Sequence, residues 1–169
     1  MDERVEPLAA IFDLNTDLLT NCVLNLSDSQ ANERLPGGGN SIAFLVAHLA
    51  DARHFLAEML DAPLPNPIGA VLADVQTIED VKAMPPLTEL LDAWRRISTH
   101  LSLALRRATA TQLDAASKHD FPIAGNTVRD AVAFLAQHDS YHLGQISFVR
   151  RQLGLPAMVY DRPSRGGAG

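Results

Sequence analysis

Apolar residues recur every three to four positions in four long stretches of the chain, and no stretch shows the two-residue alternation of a strand. The stretches run from about Val5 to Leu26, from Ser41 to Leu60, from Leu87 to Ala108 and from Thr127 to Leu153. Each predicts an amphipathic helix with one apolar stripe. Helices of similar length bury such stripes most simply against one another. The pattern therefore predicts an all-α fold, a four-helix bundle.

Prolines and glycines mark the connections between the predicted helices. Pro36 precedes three glycines, residues 61–70 contain three prolines, and Pro85 and Pro86 precede the third helix. The connection between the second and third helices, residues 61–86, is therefore a long crossover, with a short helix expected over residues 71–81. We expect one domain over residues 1–160 and a disordered tail over residues 161–169.

Two of the predicted helices have recognisable ends. Asn40 or Ser41 can cap the second helix by accepting a hydrogen bond from a first-turn N–H group. Thr127 and Asp130 have the spacing of a capping box at the start of the fourth helix. Gly154 supplies a residue that tolerates a left-handed conformation just past the end of that helix.

Composition and charge exclude several classes of protein. The 169 residues include one cysteine, Cys22, so neither an intrachain disulfide nor a CxxC site can form. A net charge of −6 disfavours nucleic-acid binding, which relies on clustered basic residues. No apolar run approaches the ~20 residues of a membrane-spanning helix, and the acidic N-terminus is unlike a signal peptide. We expect a soluble cytoplasmic protein.

Three of the six histidines fall on predicted buried faces. His138 and His142, four residues apart, lie about 40° from each other on the fourth helix, within its apolar arc. His48 lies between Leu45 and Ala52 on the apolar arc of the second helix. The remaining histidines are predicted elsewhere: His54 nearly opposite that arc, His100 off the stripe of the third helix, and His119 in a loop.

Inward imidazoles need partners for their nitrogen atoms, because an unsatisfied buried polar group costs about 1–3 kcal/mol. One divalent metal ion would satisfy three imidazoles together and leave a coordination position open for water or substrate. Zinc, nickel and ferrous iron all accept imidazole ligands. The alternative is that each histidine is an ordinary core residue with its own hydrogen bond.

The segment HDSYH at residues 138–142 also invites comparison with the HExxH motif of zinc proteases. Asp139 would then replace the glutamate general base. Its side chain is one methylene shorter, and an all-helical chain provides no sheet to form the usual protease cleft. A protease is therefore disfavoured.

Two segments together resemble the DinB-like superfamily: NSIAFLVAHLADARHFL at residues 40–56 and HDSYHLGQI at residues 138–146. Arg150, Gly154 and Pro156 fit the same pattern. The resemblance implies a four-helix bundle with one divalent metal ion, zinc, nickel or iron, bound by His48, His138 and His142. Asp139 departs from the glutamate that this family often has, and residues 61–86 match no family pattern.

Members of that superfamily include transferases and isomerases that use low-molecular-weight thiols such as mycothiol and bacillithiol. The resemblance implies a metal-dependent S-transferase in which a thiol cosubstrate attacks a small electrophile. A metal-dependent hydrolase is the related alternative. A non-catalytic, stress-associated bundle with a structural or sensory metal is a second alternative, and a partner-binding bundle without metal is a third.

Several residues near the histidines are candidates for supporting roles. Gln145 is predicted to face inward, where it would hydrogen-bond a metal ligand or a substrate. Tyr141 lies on the flank of the same arc and is a weaker substrate-binding candidate. Gly144, which follows the second histidine of the pair, would allow close packing between helices. Arg53 lies at the edge of its stripe, where a surface salt bridge is expected.

The resemblance also implies a homodimer built on helix faces. Phe44, Phe134 and Phe148 lie off the inner arcs and would provide an exposed apolar surface for it. The long crossover is the alternative cover for these rings.

Overall fold

Four long helices form the body of the protein. The structure, a computed structural model, describes residues 2–75 and 77–160. The long helices are α1 (Glu6–Val23), α3 (Ile42–Met59), α5 (Leu87–Arg107) and α7 (Val128–Gln152), and short helices α2 (Asp28–Asn32), α4 (Gly69–Leu72) and α6 (Ala110–Asp114) lie between them. The described residues contain no strand beyond a single bridge between Ala116 and Thr127. The predicted four-helix bundle is confirmed.

The direction of the helices explains the long crossover. α1 and α3 each pack against both α5 and α7. Side-chain contacts along their lengths show that α1 runs parallel to α7 and α3 runs parallel to α5, with the two pairs in opposite directions. The chain must therefore return along the whole bundle between α3 and α5, a distance of about 30 Å for a helix of this length. α4 and a 3₁₀ turn at Ile78–Asp80 lie within this return.

Side chains from the long helices hold the start of the crossover. The His100 ring donates to the carbonyl oxygen of Ala62 at 2.8 Å. Asn66 Nδ2 donates to Asp51 Oδ1 of α3 at 2.6 Å. These contacts fix residues 62–66 against the bundle.

Helix α3 has almost no solvent-facing side, and this overturns three predictions. Of its 18 residues, 12 are buried, because α5, α7, α2 and the crossover surround it. Arg53, His54 and Phe44 were expected outside the core, yet they are 1%, 7% and 7% exposed. His54 Nδ1 donates to the carbonyl oxygen of Leu64 in the crossover at 3.1 Å. A helix that is buried on all sides has no single apolar arc, so the position of a residue on the helical wheel does not predict its burial.

The predicted helix ends are confirmed. Thr127 Oγ1 accepts from the backbone N–H of Asp130, whose carboxylate accepts in turn from the backbone N–H of Thr127. Ser41 Oγ caps α3 by accepting from the N–H of Phe44 at 3.2 Å. Gly154 has a φ of +77°, the left-handed conformation expected just past α7. These signals fix where α3 and α7 begin, and hence the level of their histidines.

The expected apolar face of three phenylalanines does not form. Phe44 is buried, and Phe134 packs against Phe121 of the preceding loop with ring centroids 5.2 Å apart. Phe148 is 59% exposed. The homodimer stays a prediction, and the expected disordered tail, residues 161–169, lies outside the described residues. In the described part of the chain, no helix is long and apolar enough to cross a membrane.

Candidate metal centre

Three histidines from two helices meet in the groove between α3 and α7. His48 Nε2 lies 3.0 Å from His138 Nε2, and His142 Nε2 lies 3.1 Å from the same atom. All three nitrogen atoms lie within 4.8 Å of one another. The antiparallel course of α3 and α7 brings His48 level with the turn between His138 and His142. All three side chains are partly buried.

Burial favours the neutral form of two of these imidazoles, His48 and His138. Burial first, and then the charge of His142, lowers the pKa of His48. Burial, reinforced by His142 and His48, lowers the pKa of His138 to about 4. Neutral imidazole is the form that binds a metal ion through its lone pair.

A hydrogen bond fixes which nitrogen of His142 faces the cluster. His142 Nδ1 lies 2.7 Å from Gln145 Oε1. Because an amide oxygen only accepts, Nδ1 carries the proton and Nε2 presents its lone pair to the other two rings. Such an outer hydrogen bond orients a histidine ligand and raises its basicity.

The donor set fits one divalent cation. Three Nε2 atoms that face one another satisfy few of their hydrogen-bonding needs, and His138 Nδ1 has no partner among the described residues. Tetrahedral imidazole ligands about 2.0–2.1 Å from zinc lie about 3.3–3.4 Å apart, so the His48–His138 and His142–His138 pairs would need only small shifts. Within the described residues, no fourth histidine, cysteine or carboxylate joins the group. Three ligands with partial exposure are typical of a site with an open position.

Asp139, the neighbour of His138, points away from this cluster into the core. Its Oδ2 atom accepts from Arg53 Nε at 2.9 Å and from Arg53 Nη2 at 2.6 Å. Both residues are 1% exposed. Asp139 therefore cannot act as the general base of a protease-like site, and the expected surface salt bridge of Arg53 is wrong.

Arg53 joins all four long helices. Its Nη1 donates to Thr16 Oγ1 of α1 and to Ser98 Oγ of α5, each at 2.7 Å. Its Nη2 also donates to the carbonyl oxygen of Phe12 at 3.0 Å, and the guanidinium carbon lies 3.8 Å from the centre of the Trp94 ring. With the bonds to Asp139, all five N–H groups have partners. This cluster was not predicted from the sequence, although Asp139 lies on the apolar arc of α7, four residues after Leu135.

Tyr141 and Gly144 lie on the outer flank of α7. The Tyr141 side chain is 58% exposed, and its ring lies edge-on to His142 with centroids 5.1 Å apart. A Cβ atom added to Gly144 would meet no atom within 4 Å, so this glycine is not a close packing contact. A cavity of about 460 Å³ at the other end of α3, beside Phe55 and His119, includes none of the three histidines.

A family model of the DinB superfamily matches residues 11–146, from α1 into α7. The chain belongs to the DinB superfamily. No curated protein matches it. Among solved structures, YfiT from Bacillus subtilis, a probable metal-dependent hydrolase with an unusual four-helix bundle topology, is 20% identical with a TM-score of 0.68, over 92% of this chain and 91% of that one. A conserved protein from Enterococcus faecalis is 17% identical with a TM-score of 0.67, over 87% of this chain and 95% of that one.

Proposed function

We propose that this DinB superfamily protein binds one divalent metal ion through His48, His138 and His142 and transfers a low-molecular-weight thiol to a small electrophile. The observation that carries the proposal is the convergence of three imidazoles at 3.0–3.1 Å without a fourth protein ligand among the described residues. A metal ion bound there would lower the pKa of a coordinated thiol or water. The partial exposure of the rings favours a catalytic site over a closed structural one.

The chain itself offers no sulfur nucleophile at this site. Cys22 is buried on α1, and burial raises the pKa of its thiol to about 11. Its Sγ lies 3.0 Å from the sulfur of Met158, outside the histidine cluster. A reacting thiolate must therefore come from a cosubstrate, which agrees with transfer of a free thiol.

The transfer is a substitution at carbon. The sulfur of the cosubstrate forms a bond to the electrophilic carbon, the leaving group departs with its electron pair, and the thiol proton passes to solvent. The three imidazoles hold the metal ion, and Gln145 holds His142 in the required orientation. No general base from the protein is needed once the thiol is ionised.

A metal-dependent hydrolase is the second candidate, favoured by the description of YfiT. A hydrolase needs a group to accept a proton from water. Asp139 is bonded to Arg53, so Asp51, one turn after His48 on α3, is the carboxylate suited to that role. Asp51 is partly exposed, and its negative charge opposes the lowering of the pKa of His48.

The test compares two reactions of tag-free protein loaded with zinc, nickel or ferrous iron. Thiol transfer is followed with 1-chloro-2,4-dinitrobenzene and either bacillithiol or mycothiol, and hydrolysis with p-nitrophenyl acetate. We expect thiol conjugation that is lost in His142→Ala and unchanged in Asp51→Asn. Ester hydrolysis that is lost in Asp51→Asn, without thiol conjugation, would replace the transferase with the hydrolase. Stoichiometric metal without either reaction would favour the non-catalytic alternative.

We also propose that the protein forms a homodimer built on its helix faces. Light scattering on the purified protein should then give twice the 18.3 kDa mass of the chain. A mass of one chain at micromolar concentration would contradict this proposal.

A further inference from the structure

A cavity of about 490 Å³ lies between α7 and the loop at residues 35–40, one helical turn from the histidine cluster. Its wall includes Leu45, three residues before His48 on α3, and Gln145, three residues after His142 on α7. The volume falls within the range of about 300–1,000 Å³ that is usual for small-molecule sites. The cavity therefore adjoins the proposed reaction site along the same groove.

Apolar side chains form most of the cavity. Leu45 and Val149 belong to the core, and Tyr141 and Phe148 are 58% and 59% exposed at the rim. Between these two aromatic residues on α7, Gly144 leaves a gap, since a Cβ atom there would meet nothing within 4 Å. Two exposed aromatic rings beside such a gap suit a flat apolar group.

One polar group at the cavity wall connects it to the histidine cluster. Gln145 Oε1 accepts from His142 Nδ1, and the Gln145 amide nitrogen has no hydrogen-bond partner among the described residues. That nitrogen is not fully buried, so a ligand can reach it. The amide can therefore donate to a ligand in the cavity while it still holds His142.

We propose that this cavity binds the electrophilic substrate, and that the substrate is an aromatic or similarly flat apolar molecule with a carbonyl-type acceptor. The apolar body lies over Gly144 between Tyr141 and Phe148, and the acceptor oxygen binds the Gln145 amide beside His142. The inference rests on the proposed function, because it names the class of electrophile that the transferase would use.

The test measures binding of acetophenone and α-methylstyrene, which has a CH₂ group in place of the carbonyl oxygen. Ligand-observed NMR titrations use the full chain, both metal-free and zinc-loaded. We expect acetophenone to bind about fivefold more tightly, as one net hydrogen bond provides. Gly144→Leu, which fills the gap, should weaken acetophenone binding at least tenfold, whereas the matched control Gly144→Ala should bind within twofold of wild type.

A second variant tests the role of the amide. Gln145→Glu keeps an acceptor for His142 Nδ1 and removes the N–H donor. It should abolish the preference for acetophenone over α-methylstyrene in both the metal-free and the zinc-loaded chain. Equal binding of acetophenone by Gly144→Leu and Gly144→Ala would overturn the inference.

The outcomes separate this inference from the proposed function. Binding to metal-free protein does not depend on metal or thiol chemistry, so acetophenone binding can succeed where thiol transfer fails. If the protein transfers thiols but binds acetophenone no more tightly than α-methylstyrene, the assignment of the cavity is refuted and the proposed transferase activity is not. If Gly144→Leu changes the mass in light scattering and leaves acetophenone binding unchanged, the face is a contact between copies and the inference is wrong.

Discussion

His138 and Asp139 are neighbours on α7, but their side chains enter two polar clusters of opposite character. Around Arg53 and Asp139, every guanidinium N–H has a partner and both side chains are 1% exposed. Around His138, three imidazole rings present their Nε2 atoms to one another and stay partly exposed. One cluster is complete without a ligand, and the other is not.

The comparison separates a structural role from a binding role. Buried polar groups in native proteins are nearly always satisfied, so a group that is not calls for an explanation such as a ligand. The Arg53 cluster joins α1, α3, α5 and α7 and so fixes the position of α3 against α7. The histidine cluster depends on that position, because His48 and His138 lie on different helices.

The largest expected effect comes from breaking the satisfied cluster. Arg53→Met leaves the Asp139 carboxylate buried without its partner, which should lower the free energy of unfolding by about 3–5 kcal/mol in urea titrations. Arg95→Met, which removes an exposed ion pair to Asp92, is the control and should cost less than about 1 kcal/mol. Similar small losses for both variants would show that the Arg53 cluster does not stabilise the bundle.

Breaking the histidine cluster should weaken metal binding rather than lower the stability of the fold. His142→Ala removes a metal ligand and should weaken zinc binding more than about 100-fold, above the range for outer hydrogen-bond partners. The unfolding free energy of the metal-free protein should change little. Calorimetric titration against His119→Ala, a loop histidine outside the cluster, provides the control. Unchanged zinc affinity in His142→Ala would refute the ligand assignment.

Acid should destabilise the metal-free protein through the histidines. The folded pKa of His138 is about 4, below the ordinary value of 6.5, so the unfolded chain binds more protons between these values. Stability is therefore retained above pH 6.5 and lost as the pH falls towards 4. Because the His138 ring is partly exposed and solvent screens its charge, His138 alone should contribute a loss of about 1.5 kcal/mol between pH 7.5 and 5. Urea titrations at both pH values should show this loss shrinking in His138→Ala, and an equal loss in that variant would contradict the assignment.

The smallest expected effect concerns the orientation of His142. Gln145→Leu removes the acceptor for Nδ1 and should weaken zinc binding about tenfold. Gln137→Leu, on the exposed face of the same helix, should have no effect. If both variants bind zinc like the wild type, the hydrogen bond from His142 does not support the site.

Much of the fold was accessible from the sequence because its signals are local. The capping box at Thr127 and the glycine after α7 depend only on residues near each helix end, and both are confirmed. The positions of the three histidines followed from helical spacing alone. Arg53 and His54 were placed wrongly because their burial depends on what surrounds α3, including the crossover, whose course has no local signature. The structural role of Asp139 could not be predicted either, because it depends on Arg53, which is distant in the sequence.

The most direct test of the central claim is the metal content of protein purified without a tag or affinity resin. Inductively coupled plasma mass spectrometry should find one divalent metal ion per chain in the wild type and none in a variant with alanine at positions 48, 138 and 142. Wild-type protein that stays metal-free after incubation with zinc, nickel and ferrous iron, or a triple variant that keeps a full equivalent, would contradict the claim.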